Sequence, residues 1–90
     1  MNNKIALASL AMDLKRVALG YHRGSRSLAN RFFDEALKRK NEIDRLKIKP
    51  YVKNIIDRIE NIKSEKEEQK RAEDALLYSI LLQNAAIISS

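Results

Sequence analysis

The chain contains no cysteine, and it has only two glycines and one proline among its 90 residues. The lack of cysteine excludes disulfide bonds, thiolate metal sites and a cysteine nucleophile. The two glycines, Gly20 and Gly24, are too few and too far apart for a glycine-rich nucleotide cradle. Most of the remaining residues are Ala, Leu, Ile, Lys, Glu and Arg, which favour helix, so the composition predicts an all-α protein.

The balance of apolar and charged residues indicates a folded chain. The hydrophobic fraction is 44% and the charged fraction 33%, which is too apolar for intrinsic disorder. We expect residues 1–90 to form a single helical domain. A domain of this size buries about 60–65% of the surface of its unfolded chain, so its stability is modest without a partner.

Long hydrophobic runs are scarce as well. The longest nearly apolar run, residues 75–88, would rise about 21 Å as a helix, which is short of the roughly 30 Å core of a bilayer. The short apolar run at residues 5–12 continues into a charged helical pattern and does not resemble an export signal. We therefore expect a cytoplasmic protein that does not interact with membranes.

Apolar residues near the N-terminus recur every three or four positions and predict one buried stripe on a first helix: Leu7, Leu10, Leu14, Val17 and Tyr21. Asn2 or Asn3 is placed to cap the start of this helix. Gly24 is placed just past its end, and Ser25 or Ser27 is positioned to cap a second helix.

The second helix is predicted to run from about residue 26 to residue 46. Its expected core positions are spaced along one face, with three further apolar residues at the edge of that face. The face contains Leu28, Phe32, Ala36, Ile43 and Leu46, and the edge contains Ala29, Phe33 and Leu37. Pro50 disfavours helix at the residue before it and suits the first turn of a following helix, so a break is expected at residues 47–49.

The chain after Pro50 has no further glycine or proline, and two interpretations remain open. Residues 50–88 could form one long helix, or the helix could break near Ser64, where residues 64–67 match the S-x-x-E capping box. The sequence therefore predicts a bundle of about four helices, with a fused third and fourth helix as the alternative.

Residues 75–88 are apolar almost all the way round a helix, and such a helix must be enclosed on several sides. A chain this short has few elements to enclose it, so we expect a homo-oligomer, most simply a dimer. The predicted interface residues are Leu76, Leu77, Ile80, Leu81, Gln83 and Ile87. Ser79 and Gln83, flanked by Asn84, either pair across such a dimer and fix its register or simply face water.

The net charge of +6 is concentrated in one basic segment. Five basic residues occur between positions 15 and 31 without any acid, and they are the candidate nucleic-acid-binding residues: Lys15, Arg16, Arg23, Arg26 and Arg31. Such a cluster could contact phosphates, or it could be an ordinary solvated surface.

His22 is the only histidine, and a single imidazole does not make a metal site. Arg16 and His22 form an R-x5-H pattern that resembles the Arg-x4–6-His signature of the HEPN family of helical ribonucleases. The resemblance implies that Arg16 and His22 would act on the scissile phosphate of an RNA across a dimer interface. The chain departs from the family pattern at Val17, where a polar residue is usual, and helical geometry places the pair about 120° apart.

Three functions follow from these patterns. The first is a non-catalytic helical protein that acts through self-association and protein contacts, as an adaptor or assembly partner. The second is a basic nucleic-acid-binding regulator, and the third is a HEPN-like ribonuclease. None of the three needs a cofactor or a resident metal.

Overall fold

The computed structural model describes residues 2–88, and all regular secondary structure in this range is helical, with no strand. The α-helices are α1 (Asn3–His22), α2 (Arg26–Lys40), α3 (Pro50–Arg58) and α4 (Glu68–Ile88). Two 3-10 segments, Arg45–Lys47 and Ile59–Ser64, lie between them. The all-α class and the four-helix interpretation are confirmed, and the alternative of one long helix over residues 50–88 is wrong.

Helix α1 lies at the centre of the molecule, because it packs against both α2 and α4. The predicted stripe is confirmed, since each of its members is at most 7% exposed: Leu7, Leu10, Leu14, Val17 and Tyr21. Small residues beside this stripe, such as Ala6, Ala11 and Ala18, are buried too. Because α1 is buried on more than one side, both α2 and α4 can pack against it in a small bundle.

The turn between α1 and α2 forms where the sequence places it. Gly24 adopts a φ of 73°, a left-handed conformation that glycine reaches without strain. Ser25 caps α2, since its side-chain oxygen accepts a hydrogen bond from the backbone N–H of Leu28 at 3.2 Å. Asn2 caps α1 in the same way, accepting from the N–H of Ile5 at 2.9 Å.

Helix α2 is shorter than predicted. It ends at Lys40 instead of continuing to Leu46, which is 96% exposed. Ile43 is buried as predicted, although it lies after the end of the helix.

The buried face of α2 is shifted toward the predicted edge. Ala36 is buried as predicted. Ala29 and Phe33, predicted at the edge, are also buried, whereas Phe32, predicted within the face, is only half-buried.

The connection from α3 to α4 is a 3-10 segment and a short extended link. Pro50 occupies the first turn of α3, as predicted. The predicted capping box does not form, because the Ser64 hydroxyl donates to the carbonyl oxygen of Asn61 at 2.7 Å and α4 begins only at Glu68. Arg71 instead fixes the link, donating hydrogen bonds to the carbonyl oxygens of Lys63 and Glu65.

Candidate functional site: an exposed apolar face on α1 and α4

Helix α4 has one buried side and one exposed apolar side. The buried side is formed by small residues and one leucine: Ala75, Ser79, Leu82, Ala85 and Ala86. Large apolar side chains on the opposite side are each 36–63% exposed: Leu76, Leu77, Ile80, Leu81, Ile87 and Ile88. Every apolar residue of the predicted interface therefore lies at the surface of the protomer, and Gln83 is exposed with them.

Helix α1 contributes a second exposed apolar row that the sequence reasoning missed. Ile5, Met12 and Leu19 are 41–52% exposed and lie seven residues apart, which places them on one side of the helix. The available signal was this spacing, which is separate from the buried stripe of α1. The exposure of this row depends on which sides of α1 the other helices cover, and a local sequence pattern does not contain that information.

The two exposed rows meet along a groove between antiparallel helices. A cleft of about 330 Å³ brings Leu19 of α1 beside Leu76 of α4. A second cleft of about 470 Å³ brings Met12 beside Ile80, and both clefts include Lys15 and Leu76, so they adjoin. We call the exposed apolar side chains of the two helices the apolar face: Ile5, Met12, Leu19, Leu76, Leu77, Ile80, Leu81, Ile87 and Ile88.

The apolar face has few charges near it. Residues 75–88 contain no Asp, Glu, Lys, Arg or His. Lys15, His22 and Glu73 line the cleft near Leu19, and Lys15 also lines the second cleft, beside Met12 and Ile80. Ser79 is buried inside the protomer whereas Gln83 and Asn84 are exposed, so the three polar residues do not share one environment.

The candidate catalytic pair is not brought together within the protomer. The Arg16 guanidinium lies 5.3 Å from the centre of the Phe32 ring, on the side of α1 that faces α2. His22 lines the cleft on the side that faces α4. The structure therefore places Arg16 and His22 on different surfaces of α1.

The predicted nucleic-acid-binding residues are divided among several surfaces. Lys15 lines the groove beside α4, whereas Arg16 and Arg31 both lie within 6 Å of the Phe32 ring centre. Arg26 forms an ion pair with Glu68 at the start of α4. Arg23 is exposed at the end of α1, so the five residues do not form one continuous patch.

Asp13 is the buried acid of α1, and it faces two arginines. Its carboxylate oxygens lie 3.8 Å from Arg16 and 3.9 Å from Arg39 of α2. Burial raises the pKa of Asp13, because the loss of hydration outweighs the attraction of the two guanidinium groups. The Oδ2 atom of Asp13 and the Nε atom of Arg39 have no hydrogen-bond partner, so this contact is a loose structural pair.

Neither a metal centre nor a membrane span accompanies the apolar face within residues 2–88. No group of three His, Asp or Glu side chains in this range could hold a metal ion. No helix in the same range is both long enough and apolar enough to cross a bilayer. No protein-family model, curated protein or solved structure matches this chain.

Proposed function

We propose that this protein is a small non-catalytic assembly protein that self-associates through the apolar face. The observation that carries the proposal is a set of half-exposed Leu, Ile and Met side chains on two packed helices, four of which line two adjoining clefts: Met12, Leu19, Leu76 and Ile80. Monomeric proteins rarely expose a continuous patch of this kind, and larger patches mark interaction sites. The occupant we propose is a second copy of the chain.

The size of the apolar face supports this occupant. Its large apolar side chains are each 36–63% exposed and come from two helices packed side by side. Apolar patches larger than those of a typical monomer mark interaction sites, and a standard stable interface buries about 800 Å² on each partner. A contact over the exposed side of α4 would cover several of these side chains at once.

The distribution of charge also supports a second copy. Because residues 75–88 hold no charged side chain, pairing α4 with its symmetry mate removes no charge from water. Lys15 and His22 belong to α1, and Lys15 lies in the groove between α1 and α4. A two-fold contact centred on the exposed side of residues 75–88 is self-complementary and brings uncharged residues of the two copies together.

Sedimentation velocity of matched variants tests the proposal. We expect the wild type to sediment as a dimer at micromolar concentration and the double variant Leu77→Lys with Leu81→Lys to sediment as a monomer. Two charges placed in a desolvated contact oppose association strongly. Leu46→Lys is the matched control, because Leu46 is 96% exposed and lies outside the face. Equal behaviour of all three proteins would contradict the proposal.

Nucleic-acid binding is the second candidate, and one arrangement favours it. Arg16 and Arg31, from different helices, both approach the half-exposed Phe32 ring, which combines phosphate-binding cations with a stacking surface. Fluorescence anisotropy with a labelled oligonucleotide at several salt concentrations tests it. Binding that weakens steeply with salt and is lost in Arg31→Glu, but kept in the exposed control Lys53→Glu, would support this function.

A further inference from the structure

A small polar cleft lies where the end of α1 meets the starts of α2 and α4. It has a volume of about 220 Å³ and is mostly polar, unlike the groove of the apolar face. Its lining residues come from three helices and the link before α4: Tyr21, Arg26, Asn30, Lys66, Glu68 and Arg71. None of them belongs to the apolar face.

The cleft carries an excess of positive charge. Three of its side chains are cations and one is a carboxylate, and that carboxylate, Glu68, is already paired with Arg26. Lys66 has no acidic partner among residues 2–88. Arg71 is held in place by its hydrogen bonds to the carbonyl oxygens of Lys63 and Glu65, so its charge is fixed at the cleft.

Tyr21 adds an unused hydrogen-bond donor to the wall of the cleft. The residue is only 7% exposed, and its hydroxyl is buried without any hydrogen-bond partner. Buried polar groups in native proteins are nearly always paired with a protein group, water or a ligand. An unpaired buried hydroxyl beside three cations therefore points to an anionic group that would accept a hydrogen bond from it.

We propose that this cleft binds the phosphate group of a small phosphorylated molecule. A phosphate monoester carries a charge of about −1.5 to −2 at neutral pH, which matches the net positive charge of the lining. Its oxygens can accept several charge-assisted hydrogen bonds from guanidinium and ammonium groups. The neutral donors, the Tyr21 hydroxyl and the Asn30 amide, would complete the set.

Occupation of the cleft requires a small local rearrangement. The Tyr21 hydroxyl is buried, and the Arg71 guanidinium lies 5.8 Å from the centre of the Tyr21 ring. A ligand oxygen therefore reaches the hydroxyl only when a neighbouring side chain moves aside. Arg26 lies at the surface and pairs with Glu68, so it is free to turn toward a phosphate when that ion pair opens.

Titration of the full chain with inorganic phosphate and with glycerol phosphate, followed by amide NMR at constant ionic strength, tests the proposal. We expect saturable shifts at Tyr21, Asn30, Lys66 and Arg71, with chloride producing none. Tighter binding of glycerol phosphate would support an esterified phosphate as the ligand, and tighter binding of inorganic phosphate would contradict that assignment. Shifts that do not saturate, or that match those in chloride, would overturn the proposal.

Two variants locate the binding within the cleft. Lys66→Ala removes an exposed cation and should weaken phosphate binding at least fivefold, whereas the matched Lys53→Ala, on α3, should change it less than twofold. Tyr21→Phe removes only the hydroxyl and should weaken binding severalfold while the free protein stays folded. If Tyr21→Phe fails to fold, the comparison of Lys66→Ala with Lys53→Ala still tests whether phosphate binds in the cleft. Equal effects of these two lysine variants would contradict the proposal. Because the cleft and the apolar face share no residue, sedimentation and phosphate binding can fail separately.

Discussion

Gly20 lies where the backbones of α1 and α2 come into contact. A Cβ atom at this position would lie 2.6 Å from the backbone nitrogen of Ala29 and 2.8 Å from its Cα atom. Backbone atoms cannot move aside as a flexible side chain can. The absence of a side chain at one residue therefore sets the separation of the two helices.

Replacing Gly20 with alanine should destabilise the protein, although alanine is the better helix former. We expect the free energy of unfolding to fall by about 1–3 kcal/mol, because the new methyl group overpacks the contact with Ala29. Urea denaturation monitored by circular dichroism measures the change. Ser27→Ala, at an exposed position of α2, is the control and should stay within about 0.5 kcal/mol of wild type. A Gly20→Ala variant as stable as wild type would contradict this account, because it would mean that α1 and α2 can move apart without loss of stability.

Asp13 should lower the free energy of unfolding as the pH rises, which is the opposite of the usual effect of an acidic residue. Its pKa is raised in the folded protein, because burial outweighs the attraction of Arg39 and Arg16. The folded state therefore holds this proton more tightly than the unfolded state does. The free energy of unfolding is therefore unaffected by Asp13 ionisation below the unfolded pKa, and it falls as the pH rises through the folded pKa.

The variant Asp13→Asn should accordingly be more stable than wild type at pH 7, and this advantage should disappear near pH 3. Paired urea titrations at the two pH values measure the difference in the free energy of unfolding. Asp34→Asn, at an exposed position of the second helix, is the matched control and should gain less at pH 7. A loss of stability at pH 7 would show that the contact with Arg39 outweighs the cost of burial.

At the scale of the helices, local patterns predicted starts better than ends. The caps at Asn2 and Ser25 and the break before Pro50 depend on neighbours within a few residues, so the sequence could predict them. The end of α2 at Lys40 coincides with contacts to distant parts of the chain. Lys40 forms an ion pair with Glu60 at 2.6 Å. Because Glu60 lies far from Lys40 along the chain, no local sequence pattern could predict this pair.

The segment after α2 shows the same principle. Asn3 accepts a hydrogen bond from the backbone N–H of Asp44 and donates one to its carbonyl oxygen, which ties the start of α1 to a loop 41 residues away. These bonds hold the chain in a non-helical path where periodicity alone predicted helix. Leu46 consequently lies in solvent instead of in the core.

Helix α4 gives a prediction about the polar residues of the proposed interface. Asn84 lines the groove beside Met12 and Ile80, so a self-associated protein would bury its amide. A buried polar residue of this kind lowers the affinity of self-association while it fixes the register and the oligomer size.

We expect Asn84→Leu to tighten self-association severalfold and to give larger oligomers, as measured by size-exclusion chromatography with light scattering. The matched substitution Asn54→Leu, at an exposed position of α3, should leave association unchanged. Equal effects of the two variants would exclude Asn84 from the contact.

For the whole molecule, the four helices form a bundle of 35 × 20 × 19 Å with α1 at its centre. The sequence indicated which residues of α4 would be too apolar to leave in water, because an all-round apolar helix has no polar side to expose. It could not indicate that Ile5, Met12 and Leu19 would join them. That outcome depends on where α2 and α4 pack around α1, since they cover two of its sides and leave a third open.

Sedimentation equilibrium of the wild-type protein over a wide concentration range tests the central claim most directly. Self-association through the apolar face predicts a weight-average mass that rises with concentration from the 10.4 kDa of one chain toward twice that value. A mass that stays at 10.4 kDa up to high micromolar concentration would contradict the claim.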